Sequence, residues 1–138
     1  MKATITLQGR STVEGVAGSG HRVTMDVAPE VGGRNLGLRP MEMVLLGLGG
    51  CTAIDVLHML RKGRQSITDM RVELDAERAD DVPKVFTRIH VHFVLTGAGL
   101  DPHKIERAIK LSATKYCSAS MMLNKTAEMT HDFEIVEQ

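Results

Sequence analysis

Apolar and polar residues alternate along the N-terminal part of the chain, the pattern of β-strands with one buried face. The apolar positions of residues 3–13 are Ala3, Ile5, Leu7 and Val13, and the pattern returns at Val23, Met25 and Val27. The turn-rich residues 15–20 separate these segments and predict an antiparallel hairpin. Residues 29–39 contain three glycines without periodicity and predict a loop.

A long helix is predicted after this loop. Pro40 suits a first helical turn because its missing N–H needs no partner there, and Gly63 after Lys62 is a typical stop. Residues 43–54 are apolar on every side and include three glycines, so we expect a sheet to cover one face and a partner helix the other. This run of twelve residues is shorter than the ~20 that span a bilayer, which predicts a buried core helix.

The second half of the chain predicts three more strands and two helices. The predicted elements are strands at 70–77 and 85–95, a helix from Asp101 and Pro102 into Cys117, a short helix at 118–125 and a strand at 129–135. The order ββαββααβ, without a linker or repeat, predicts one α+β domain over residues 1–138. The long central helix should be buried against an antiparallel sheet.

Composition narrows the possible partners. Of the 138 residues, 43% are hydrophobic, and 17 Lys and Arg balance 17 Asp and Glu. Because no net charge attracts polyanions, we expect no binding to nucleic acid or to a membrane surface. Residues 1–12 contain no apolar targeting segment, so a cytoplasmic location is expected.

The two cysteines, Cys51 and Cys117, are expected to be free thiols in a reducing compartment. Cys51 lies in the apolar part of the long helix, which by itself favours an inert buried thiol. Cys117 precedes the short helix, whose dipole should favour its thiolate. The residues alone therefore leave two interpretations open, core packing or thiol chemistry.

The segments around both cysteines resemble one family. Residues 40–53, PMEMVLLGLGGCTA, resemble the long-helix motif of OsmC/Ohr-like proteins, with a Pro-x-Glu opening and small residues before the cysteine. Residues 115–123, KYCSASMML, look like the family's second cysteine motif, and the separation of 66 residues between Cys51 and Cys117 agrees. The resemblance, to the YhfA-like branch of the family, covers essentially the whole chain.

This resemblance implies an OsmC-like fold, an intertwined homodimer and a Cys-based peroxidase for organic hydroperoxides. Cys51 would attack the peroxide, and Cys117 would condense with the resulting sulfenic acid to a disulfide. A dithiol reductant, such as a lipoyl protein or a thioredoxin-like protein, would reset the pair. Neither a cofactor nor a metal is expected.

The resemblance also implies that a glutamate near the start of the long helix and an arginine position the reactive cysteine. Glu42 is the only acid available, nine residues before Cys51, whereas better-studied branches have it ten before, where Met41 stands here. A separation of nine residues places Glu42 and Cys51 on opposite sides of a regular helix. The alternative role for Glu42 is therefore that of a first-turn glutamate favoured by the helix dipole. The preferred arginine is Arg34, chosen from Arg10, Arg22, Arg34 and Arg39, with a solvated loop arginine as the alternative.

Other groups of polar residues are less specific. Asp55 and His58 share a helix face with Cys51, but His58 is about 10 Å along the helix, so we expect these two residues to pair with each other. His90 and His92 share a strand face, and without an evident third ligand they predict a solvated surface. The glycine-rich residues 32–37 lack the Lys-Ser/Thr of a phosphate loop.

Two further functions are compatible with the sequence. The apolar, glycine-rich interface would also suit a binding protein for a small hydrophobic ligand, without turnover. A structural dimer with two inert buried thiols is the third possibility. The reactivity of Cys51 toward alkylation would separate the three.

Overall fold

The computed structural model describes all 138 residues and confirms the α+β class. By its contacts the chain divides into two compact units, Met1–Leu46 and Gly47–Gln138. The strands are β1 (Ala3–Gly9), β2 (Thr12–Ala17), β3 (Arg22–Met25), β4 (Ser66–Arg78), β5 (Phe86–Ala98) and β6 (Glu128–Glu137). The helices are α1 (Pro40–Lys62), α2 (Pro102–Leu111) and α3 (Ser118–Leu123), with a 3-10 turn at Pro29–Val31 and a π-helical turn at Ser112–Tyr116.

The first unit contains an antiparallel sheet of β1, β2 and β3, one strand more than predicted. The segment 3–13 is interrupted because the chain turns at Gly9 and Arg10, where φ is 129° and 51°. An arginine rarely adopts a positive φ, so the residue type did not indicate this turn. Gly15 lies in the central strand β2 and not in a connector, because it pairs with residues of β1 and β3. A Cβ at this position would be 3.3 Å and 3.4 Å from side chains of these two strands, so the site favours glycine.

The second unit contains a sheet with the order β4-β5-β6. The 13-residue strands β4 and β5 pair antiparallel, whereas β6 pairs parallel to β5. The structure therefore differs from the expected antiparallel sheet: there are two three-stranded sheets, and this one is mixed. The reason is that α2, the π-helical turn and α3 form a crossover between β5 and β6.

Helix α1 begins and ends where the sequence predicts. Its buried positions form one stripe along the helix, at Leu48, Gly49, Thr52, Val56 and Leu60. Gly49 packs against β4, because a Cβ there would lie 2.8 Å from Leu74 Cδ1. The helix is not buried all round in the single chain, as Ile54 is 70% exposed. An 18-residue stretch of α1 has a mean hydropathy of 1.7, so the helix is long and apolar enough to cross a membrane, a property that core helices of soluble proteins share.

Candidate functional site

The two cysteines lie close together in the second unit. Cys51, on α1, is partly exposed, whereas Cys117, between the π-helical turn and α3, is fully buried. The two sulfur atoms and one carboxylate oxygen of Asp55 all lie within 4.8 Å of one another. The structure therefore brings the two predicted cysteines together and adds an acidic group that the sequence analysis had assigned elsewhere.

The π-helical turn positions Cys117. Its N–H donates to the carbonyl oxygen of Ser112, five residues earlier, at 2.9 Å. Cys117 itself has extended backbone angles (φ −76°, ψ 105°), and α3 begins at the next residue. Because π-helical turns are rare and occur frequently at functional sites, this wide turn marks the cysteine as a candidate functional residue.

Burial has the largest effect on the thiol pKa of Cys117. Burial raises the pKa of Cys117 above its ordinary value, and its hydrogen bonds with Ser120 lower the pKa without reversing that effect. One of these bonds is donated by the Ser120 N–H to Sγ at 3.3 Å, so the sulfur caps α3. The neighbouring Cys51 raises the pKa further. The prediction that Cys117 gains thiolate character from the helix dipole is therefore wrong.

A hydrogen-bonded chain of three polar side chains lies beside Cys51. Ser112 Oγ donates to Asp55 Oδ2 at 3.1 Å, and because a hydroxyl has only one hydrogen, Thr52 Oγ1 must donate to Ser112 Oγ, 2.9 Å away. Thr52 and Ser112 are buried, so these bonds hold α1 to the π-helical turn in the core. The expected pair of Asp55 with His58 is not formed. The sequence contained one sign of this contact between Ser112 and α1: Ser112 places a hydroxyl at a position that continues the apolar stripe of α2.

An open cleft of about 840 Å³ borders this chain of polar residues. Asp55 and His58 contribute to its lining from α1, and Tyr116 from the π-helical turn. The other lining residues are apolar or cationic: Ile54, Met59, Leu60, Lys62, Gly63, Lys104, Arg107, Ala108 and Leu111. An apolar cleft with a few charged groups is suited to a small organic molecule.

Glu42 lies in the first unit and closes the first turn of α1. Its Oε1 accepts a hydrogen bond from the N–H of Arg39 at 2.8 Å, which is half of a capping box. This contact matches the alternative considered from the sequence, a glutamate that stabilises the helix start. The role of Glu42 in positioning Cys51 stays a prediction.

Arg34 is held in the first unit by Asp26. The Arg34 N–H donates to Asp26 Oδ2 at 3.1 Å, and its Nη2 donates to Thr12 Oγ1 at 3.2 Å. Burial alone would raise the pKa of Asp26, but hydrogen bonds from the Ser11 hydroxyl and from backbone N–H groups, including that of Arg34, hold it well below its usual range. Arg34 is therefore an ordered loop residue, and its predicted action on Cys51 stays a prediction.

Comparisons with a protein family, with individual proteins and with solved structures all point to the same group of relatives. The family model described as OsmC-like protein matches residues 32–132. Protein YhfA of Escherichia coli K12 is 44% identical over 130 residues, which cover 91% of this chain and 90% of YhfA. The solved structure of a hypothetical protein from Aquifex aeolicus has a TM-score of 0.87 at 28% identity, covering 99% of this chain and 96% of that one. An organic hydroperoxide resistance protein from Legionella pneumophila shares the fold, with a TM-score of 0.72 at 16% identity over 96% and 95% of the two chains. The chain described here belongs to the OsmC-like protein family.

Proposed function

We propose that this protein is a thiol-dependent peroxidase for organic hydroperoxides, in which Cys51 attacks the peroxide and Cys117 resolves the product. The observation that carries the proposal is that the two sulfur atoms lie within 4.8 Å of each other, although Cys51 is partly exposed and Cys117 is buried. A hydroperoxide can reach Cys51 directly, whereas the buried Cys117 is favoured as a neutral thiol. The name of the Legionella neighbour, an organic hydroperoxide resistance protein, supports the same substrate class.

The proposed reaction has two steps in the protein. The Cys51 thiolate bonds to the terminal oxygen of the hydroperoxide, the O–O bond breaks, and the alkoxide takes a proton and leaves as the alcohol. Cys51 is then a sulfenic acid, oxidised by two electrons. Cys117 loses its proton and attacks the Cys51 sulfur, so that a disulfide forms and water leaves. An external dithiol, of the lipoyl or thioredoxin-like kind, returns the two electrons and restores both thiols.

The polar chain beside the cysteines supports this division of roles. Thr52 and Asp55 follow Cys51 by one and four residues on α1, and both are joined through Ser112 to the turn that leads into Cys117. Since a disulfide requires the sulfur atoms to approach to about 2.05 Å, the resolving step needs only a local movement of this turn. We infer that the Ser112 contacts keep the two thiols within reach of each other.

Glu42 and Arg34 are proposed as positioning residues for Cys51, as the family resemblance implies. Both side chains are already ordered by local hydrogen bonds, so little conformational entropy would be lost when they act. Arg34→Lys and Glu42→Gln should slow the alkylation of Cys51 and shift its pH profile. Arg22→Lys is the control, because Arg22 forms an exposed ion pair with Glu14. Unchanged pH profiles in both variants would contradict these two roles.

We further propose that the protein is a cytoplasmic homodimer whose single OsmC-like domain comprises both compact units. The apolar side chains of α1 that remain exposed in one chain are Met43, Val44, Leu46 and Ile54. A Cβ added at Gly47 or Gly50 would meet no atom within 4 Å, so this helix has room for a second backbone to approach. Covering such a face with the same face of a second copy is the common symmetric solution.

Mass spectrometry of the reduced protein after one equivalent of cumene hydroperoxide tests the peroxidase proposal. We expect the loss of two hydrogen atoms and a peptide map with a Cys51–Cys117 disulfide. If no organic hydroperoxide oxidises either thiol, the peroxidase proposal fails. The apolar cleft would then favour the alternative, a binding protein for a small hydrophobic ligand, which native mass spectrometry would detect as a retained molecule.

A further inference from the structure

Two histidines and an aspartate meet on the outer face of the second sheet. His90 and His92 lie on β5, and Asp132 lies in register with His92 on the parallel strand β6. Asp132 Oδ1 is 2.9 Å from His90 Nε2 and 2.6 Å from His92 Nδ1. One donor atom from each of the three residues therefore falls within 4.8 Å of the other two. Asp132 is 40 residues beyond His92 in the sequence, so the spacing of the histidines gave no sign of this third ligand.

The second nitrogen of each imidazole also has a polar neighbour. His90 Nδ1 is 2.6 Å from Thr130 Oγ1, and His92 Nε2 is 3.7 Å from Glu134 Oε1. In metal sites, a hydrogen bond at the far nitrogen selects the tautomer whose other nitrogen is free to ligate, and it orients the ring. Thr130 is therefore suited to present His90 Nε2 toward Asp132, whereas Glu134 places a negative charge near His92 Nε2 at a distance too long for a hydrogen bond.

The charges around these residues favour a cation. Asp75 on β4 is in register with His90 and makes no ion pair, whereas Glu73, in register with His92, is paired with Arg71 at 2.8 Å. Asp75 and Glu134 therefore add two carboxylates to this face, on which Arg71 and Arg88 are paired with Glu73 and Glu77 at 2.8 Å and 3.8 Å. The three donor residues are open to solvent, with side chains of His90, His92 and Asp132 exposed by 34%, 27% and 58%. An ion can therefore enter without opening the fold.

We propose that His90, His92 and Asp132 bind a divalent first-row transition-metal ion, with Zn²⁺ as the best fit. Two imidazole nitrogens and one carboxylate form a donor set that binds such ions in preference to Mg²⁺ or Ca²⁺. Ligand atoms at 2.0–2.1 Å around a tetrahedral ion are about 3.4 Å apart, so the two distances from Asp132 to the histidine nitrogens need to open by less than about 1 Å. Solvent completes the coordination. The bound ion ties β6, an edge strand, to the central strand β5, and the site is independent of the two cysteines.

Titration with Co²⁺ and Zn²⁺ of the untagged, reduced protein tests this site. Cys51, Cys117 and Asp55 form a second group of potential ligands, so Cys51→Ser is used to isolate the sheet site. We expect Cys51→Ser to bind one Co²⁺ per chain with d–d absorption and no thiolate-to-cobalt charge-transfer band. Zn²⁺ should displace the cobalt and raise the melting temperature, because it binds only the folded chain.

Two substitutions decide where the ion is bound. In the Cys51→Ser background, His90→Gln and His92→Gln should each weaken Zn²⁺ binding by roughly tenfold or more, since each removes one of three protein ligands. His103→Gln, which changes an exposed histidine on α2, should leave the affinity unchanged. Binding that survives both substitutions, binding that is lost in Cys51→Ser, or no binding at micromolar Zn²⁺ would each overturn the proposal.

Discussion

The backbone N–H of Cys117 donates to the carbonyl oxygen of Ser112 at 2.9 Å, closing a π-helical turn. The side chain of the same Ser112 bonds Thr52 on α1, one residue after Cys51. One residue thus links the backbone that places Cys117 to the helix that carries Cys51.

Substitution of each cysteine should give different products. Cys51→Ser should abolish consumption of cumene hydroperoxide, because the remaining thiol is buried. Cys117→Ser should allow one oxidation and then stop at sulfenic or over-oxidised Cys51, since no thiol resolves it. A sulfenic-acid probe followed by peptide mass spectrometry measures this product. Full turnover in Cys51→Ser would contradict the assignment of the attacking thiol.

Ser112→Ala should destabilise the protein and slow disulfide formation. The change leaves the buried Thr52 hydroxyl without its partner, which costs about 1–3 kcal/mol in the free energy of unfolding. Urea denaturation measures the stability, and stopped-flow oxidation measures the resolving step. The control is Thr114→Ala, which removes an exposed hydroxyl of the same turn and should change stability by less than about 0.5 kcal/mol. Equal effects of the two substitutions would contradict the role given to Ser112.

The stability of the protein should fall in acid partly through Asp26. Its pKa is depressed in the folded chain, so its contribution is present above the unfolded value of about 3.9 and is lost as the pH falls below that value toward the folded pKa. Asp26→Asn should therefore be less stable than the wild type at pH 7, and the difference should shrink below about pH 3.9.

Urea midpoints of both proteins across this pH range provide the measurement. Asp81→Asn is the control, because Asp81 is an exposed carboxylate at which no comparable set of hydrogen bonds converges. A difference between wild type and Asp26→Asn that stays constant with pH would show that the carboxylate charge of Asp26 does not contribute in this way.

Ile54→Glu should dissociate the proposed homodimer without unfolding the chain. Ile54 is 70% exposed in a single copy, so a charge there costs little in the monomer but is unfavourable inside an apolar interface. Sedimentation velocity should show a shift from dimer to monomer, with an unchanged circular dichroism spectrum. Val82→Glu, at a site 88% exposed and outside the helices and strands, should remain dimeric. A stable, folded wild-type monomer at micromolar concentration would contradict the dimer.

The sequence by itself determined the features that depend on neighbouring residues. Periodicity placed α1 between Pro40 and Gly63, and the N-cap at Asp101 marked the start of α2, as the structure confirms. The two cysteine motifs identified the family for the same reason, because each is a short continuous segment. The turn at Arg10 was one local feature that escaped prediction, since its positive φ is atypical of that residue.

The tertiary structure alone decided which distant side chains meet and how deeply they are buried. Parallel pairing of β6 with β5 sets Asp132 beside His92, and the packing of the π-helical turn on α1 joins Ser112 to Thr52. At Cys117, burial likewise outweighs the hydrogen bonds from Ser120 in setting the pKa, and local sequence does not show how deeply a residue is buried. The reason is physical: periodicity and caps follow from backbone geometry within a few residues, whereas desolvation and donor geometry arise only when segments far apart in the chain pack together.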